Sequence, residues 1–179
     1  MIHSTSVTLA PAWGRNELET NNLVTISLDL EHVNSSQTPT LFIARTIIHE
    51  AIHANLYLAL YNLNNGNTIN LPDINDFSAI YEQYRLQRGW QHEFMANHYI
   101  SLMAEALQEA HPSLNDQAFI NSLYDYEMSL NDFYTCISYT GLSETEGLTI
   151  FLNDPTNAQN YSISYEAAKV NSTKTPNCN

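Results

Sequence analysis

The chain has 179 residues, enough for one domain with a real core, and 44% of them are hydrophobic, as is ordinary for a globular protein. Six Lys and Arg stand against nineteen Asp and Glu, a net charge of −13 with a pI near 4.6. So few cations make no basic face to displace counterions from phosphate, which argues against nucleic acid as a partner and, equally, against anionic membranes.

In chain order, Val7-Thr8-Leu9 and Leu23 to Leu30 alternate with β-branched enrichment and read as strands, with Pro11 and Gly14 between them. In the second strand Val24, Ile26, Leu28 and Leu30 share one face. Ser35 to Pro39 supplies caps and a proline for a helix predicted from Thr40 to Leu63, stopped by Asn64-Asn65-Gly66-Asn67. Further helices are predicted over 73–88, 90–110 and 115–140. The last carries Phe119, Leu123, Tyr126, Leu130, Phe133 and Ile137 at spacings of three and four. Ser143 and Glu146 form a capping-box pattern opening a short helix through Leu152. Beyond Asn153 the chain is polar with one amphipathic piece near Tyr165–Ala168. Residues 1–170 are expected to form a single domain and 171–179 a disordered tail.

Within the Thr40–Leu63 helix lies His49-Glu50-Ala51-Ile52-His53, an HExxH match. Residues four apart are about 40° apart around a helix, so both imidazoles point the same way, one turn apart. Such a pair can hold Zn²⁺ through nitrogens at about 2.0–2.1 Å, with Glu50 about 100° round from His49 and placed to take a proton from a metal-bound water. Burying two imidazoles and a carboxylate in so apolar a helix is costly unless a cation compensates them. A lone histidine there would read more simply as hydrogen-bonded core.

A catalytic zinc takes three protein ligands and leaves a fourth position to water. The best third ligand lies in Gly89 to Tyr99. On a helix His92 shares the inward face of Met95, Ala96, Tyr99, Met103 and Ala106, so His92 is the first choice and Glu93 the alternative. His98 points outward. His3, His32 and His111 read as surface residues, Asn55 and Arg45 border the His49/His53 face, and Tyr99 and His98 are candidates to stabilise an oxyanion. Of the two cysteines, Cys136 reads as a small buried hydrophobe and Cys178 as free or bridged.

Ile43 to Ala54, followed at a distance by Trp90-Gln91-His92-Glu93-Phe94-Met95-Ala96, resembles the SprT-like metallopeptidases among the zincins. The resemblance covers about residues 20 to 110. It implies a strand before the HExxH helix and a zinc site completed by a later histidine near an aromatic, here His92. Glu93-Phe94-Met95-Ala96-Asn97 is also similar to the element by which gluzincins supply a glutamate ligand. The chain departs from the SprT-like pattern in its longer His53–His92 spacing, in lacking a glycine after the third histidine, and in having no C-terminal zinc ribbon. Ala54-Asn55-Leu56 excludes a metzincin.

These readings converge on a mainly helical α+β zincin-like domain with a small N-terminal sheet preceding the HExxH helix. Its expected activity is that of a zinc metallopeptidase acting on a peptide or protein substrate. The alternative is a non-catalytic module in which a closed four-ligand metal site ties helices together for protein interaction. The start at Met1-Ile2-His3-Ser4 lacks the charged and apolar regions of a signal peptide. Low Lys and abundant Asn suit an extracytoplasmic domain of a longer parent protein.

Overall fold

The computed structural model describes residues 7–9, 15–19, 23–28, 35, 37–65, 82 and 89–174. The predicted 73–88 helix, His3, His32 and Cys178 lie outside the described residues. Three short strands, β1 (Val7–Leu9), β2 (Arg15–Glu19) and β3 (Leu23–Leu28), form a sheet in the order β1-β3-β2. β1 runs parallel to β3, with Val7 opposite Ile26, and β2 runs antiparallel to it, with Glu17 opposite Thr25. Ile26 and Leu28, on the face the alternation assigns to the interior, are buried against Ala54, with Ala51 and Leu58 beside them.

The rest is helical. α1 (Thr40–Asn64) runs 25 residues without Gly or Pro inside it, begins behind Pro39 in extended geometry, and ends at Asn65, whose N–H bonds back into the last turn. Against this one helix, strands of three, five and six residues are minor, so the α+β class is corrected to mainly helical. No helix among the described residues is long and apolar enough to cross a membrane.

The predicted 90–110 helix is two: α2 (Trp90–His98) and α3 (Ile100–Ala110), parted where Tyr99 leaves helical geometry at φ −120°, ψ −4°. The predicted 115–140 helix is likewise divided. α4 (Gln117–Ser122) passes through a 3-10 turn at Leu123–Asp125 to an extended Tyr126, and α5 (Leu130–Tyr139) starts afresh behind Ser129. The break is encoded by Ser129 and Asp132, which cap each other's backbone N–H groups. α6 (Glu146–Leu152) is capped by Thr145, which accepts from Leu148 N, and not by Ser143. α7 (Pro155–Asn171) replaces the expected polar stretch. Asp154 accepts from Thr156 N and Asn157 N, and Pro155 occupies the first turn.

Two apolar clusters hold the helices. Ile52, Leu56 and Ala59 of α1 meet Phe94, Met95, Met103 and Leu148 in one. Leu41 of α1 meets Leu107, Phe119, Phe133, Ile137 and Ala168 in the other. Cys136 is buried, and burial pushes its thiol up to about 11.

His111 is not a surface residue. It is fully buried, with Nδ1 2.9 Å from the Tyr134 hydroxyl and Nε2 3.0 Å from Asp116 Oδ2. Asp116 also accepts from Ser172 Oγ at 2.6 Å and Thr173 N at 2.5 Å, and Thr40 N donates to Thr173 O at 2.8 Å. Part of the expected disordered tail is thereby fixed: Ser172 is buried, and Lys174 pairs with Pro39 at the start of α1.

Candidate metal centre

α1 and α2 bring three imidazoles to one point. His49 Nε2 lies 3.1 Å from His53 Nε2, which lies 3.2 Å from His92 Nε2, and the three ligand nitrogens fall within 4.8 Å of one another. The i, i+4 spacing on α1 supplies the first pair. The third arrives because Phe94 and Met95 bury α2 against α1, leaving His92 on the edge of that contact. Ligands at about 2.0–2.1 Å in tetrahedral array stand roughly 3.3 Å apart, close to the separations found between these nitrogens.

The ring of His53 is set by a residue that sequence reasoning missed. Its Nδ1 lies 2.5 Å from Gln91 Oε1. An amide oxygen only accepts, so Nδ1 carries the proton and the Nε2 lone pair faces His49 and His92. His53 Nε2 thus offers one lone pair to two imidazole nitrogens at 3.1 and 3.2 Å, and since one such lone pair accepts one good hydrogen bond, a cation shared by all three fits the cluster better than a hydrogen-bonded chain. Burial, helped by His53, His92 and Arg45, pushes His49 down to about 3. Burial and His92 push His53 down to about 4, against the Gln91 hydrogen bond. Burial lowers His92 as well, with Glu144 and Glu93 opposing. All three are therefore neutral, the state a metal ligand needs.

Glu93, the alternative ligand, faces another way. Its Oε1 accepts from Glu146 N at 2.7 Å and its Oε2 meets Gly147 N at 3.5 Å, so its carboxylate caps α6. Glu50 is buried at 8% exposure and lines the same cavity as the three histidines. Asn55 is exposed and donates to Ala51 O, away from the site. Tyr99 sits in the core beside Phe94, and exposed His98 lies tilted at 49° against Phe94 with ring centres 4.8 Å apart; neither lines the cavity. The phenols that do line it are Tyr57 and Tyr165.

That cavity, of about 970 Å³, is walled by the segment before α1, by α1 and α2, by the Thr140-Gly141 turn after α5 and by α7. No local sequence pattern marks the turn as part of the site. A Cβ on Gly141 would stand 2.5 Å from Arg45 Nη1 and 3.4 Å from His49 Nδ1, so a side chain here would push the Arg45 guanidinium out of its present position. His49 Nδ1 has no hydrogen-bond partner among the described residues. Compared with models of protein families, with curated proteins and with solved structures, the chain matches none.

Proposed function

We propose that the chain is a zincin-type peptidase in which His49, His53 and His92 hold Zn²⁺ and Glu50 is the general base. The observation that carries this reading is the convergence of three neutral imidazole nitrogens that line, together with the buried Glu50 carboxylate, a cavity wide enough for a peptide. Zinc bound there would supply a water of lowered pKa and polarise the substrate carbonyl. Glu50 is placed to take a proton from the attacking water and return it to the leaving amine. Gln91 keeps His53 in the ligating tautomer. The engagement of Glu93 with α6 supports a set of three protein ligands with a fourth position for water, which favours the enzyme over a closed, purely structural site.

The test is elemental analysis of the purified protein with assays on denatured protein substrates. One zinc per chain is expected. Glu50→Gln should keep the metal and lose turnover by roughly a hundredfold or more. A protein that takes up no metal, or a Glu50→Gln variant as active as the parent, refutes the reading.

A further inference from the structure

The cavity over the three imidazoles carries a charge unlike that of the molecule as a whole. Glu50 is the one carboxylate among its described lining residues, whereas Arg45 and Lys169 are two of only six Lys and Arg in a chain of net charge −13. Lys169 has company: its Nζ is 3.8 Å from Glu166 Oε1 and 5.8 Å from the Tyr165 ring centre. Arg45 does not. It precedes His49 by four residues, on the same face of α1, and its Nε is buried without an acceptor. Among the described residues its guanidinium has no hydrogen bond or ion pair, and its ring contact, Phe42 at 5.9 Å, lies at the outer limit of a cation–π interaction. The bare backbone of Gly141 is what lets Arg45 Nη1 sit in the same corner as His49.

The charge of Glu50 offsets part of the cost of burying this guanidinium but leaves its N–H donors without an acceptor, which is expensive, so the acceptor is to be sought in what enters the cavity. The planar fork of arginine matches a carboxylate through two parallel hydrogen bonds. We infer that Arg45 is a specificity residue that binds a carboxylate of the substrate, next to the metal centre. This rests on the peptidase reading above. The carboxylate has two possible sources, the C-terminus of a peptide or an acidic side chain within it.

The experiment is calorimetric titration of the zinc-supplemented Glu50→Gln protein, which binds without turnover, with and without Arg45→Gln. The probes are acetylated trialanine as free acid and as C-terminal amide, and acetyl-alanyl-glutamyl-alanine amide against its glutaminyl analogue. A preference of roughly tenfold or more for a carboxylate-bearing probe is expected, lost on Arg45→Gln. The pair that shows it identifies the source. Arg45→Lys, which keeps the charge without the fork, should retain part of the preference and serves if Arg45→Gln fails to fold by circular dichroism.

Equal binding of acid and amide in both pairs overturns the proposal. So does a preference that survives Arg45→Gln, since a carboxylate held by the metal alone would behave that way. Failure of the peptidase reading is distinguishable: the parent protein would cut neither these probes nor longer peptides, whatever its binding preference.

Discussion

His53 uses both ring nitrogens, and this makes Gln91 the most informative residue outside the three histidines. Its amide oxygen accepts from Nδ1 and leaves Nε2 for the shared point between His49 and His92. Removing such a partner leaves the ligand in place but frees its ring and its tautomer, an effect typically worth 10–100-fold in metal affinity. Gln91→Ala is therefore expected to weaken zinc binding by about that range, read by competition with a chromophoric chelator, whereas Gln91→Glu, which still accepts, should largely preserve it. His92→Ala should do more, because two imidazoles on one helix remain where three donors met. An unchanged affinity in His92→Ala would mean that the α2 histidine is a neighbour of the site and not a member.

At the scale of elements, α2 is a bracket between the three-histidine cluster and α6. His92 faces α1, while the next residue, Glu93, accepts from the first N–H groups of α6. Behind that cap the packing is close: a Cβ on Gly147 would stand 2.7 Å from Ala96 Cβ. Glu93→Ala is expected to cost about 1 kcal/mol in urea denaturation, the usual worth of a helix cap, and to leave zinc stoichiometry unchanged. A variant that loses the metal would reinstate Glu93 as a ligand. The pair also shows what a sequence discloses. The i, i+4 histidines and the inward face of His92 follow from periodicity, and the bounds of α1 from the residues that flank it, because local geometry sets them. The role of Glu93 does not, since its partners lie 53 and 54 residues away. The division of the 115–140 segment was legible in principle, as Ser129 and Asp132 form a cap in the middle of an unbroken apolar spacing. Asp154-Pro155 was likewise a helix start, hidden by the polarity of the α7 residues behind it. The break at Tyr99 carries no such mark: neither Gly nor Pro stands near it, and Tyr99 N still bonds Met95 O.

At the scale of the whole molecule, one buried network ties Ser172 and Thr173 to the start of α1, and that network and the three-histidine cluster respond to acid alike. His111 donates from Nε2 to Asp116, accepts at Nδ1 from Tyr134, and through Asp116 fastens Ser172 and Thr173 to the first turn of α1. Burial lowers the His111 pKa despite the hydrogen bond and charge of Asp116. It also lowers His92 and holds His49 and His53 near 3 and 4. The folded protein thus keeps four imidazoles proton-free at pH values where the unfolded chain, with pKa values near 6.5, has protonated them. The unfolded state then binds more protons, so stability rises with pH across this window. The contribution is fully present above about pH 6.5 and is lost as pH falls toward the folded values, by at most about 1.4 kcal/mol per pH unit for each imidazole. Asp116, whose pKa is lowered by hydrogen bonds from Ser172, Thr173 and His111 that outweigh its burial, adds its own loss only below the ordinary carboxylate range. The relief of repulsion as the −13 charge is titrated acts in the opposite sense, but moderate salt screens it beyond about 8–10 Å. The urea midpoint of the chelator-treated protein in moderate salt is therefore expected to fall steadily from pH 7 to pH 5. Replacing His53 with Gln, which removes one such imidazole, should make the fall shallower. A midpoint that stays level or climbs over that range would show that the imidazoles are not held neutral by burial, and would remove the electrostatic ground on which the metal centre stands.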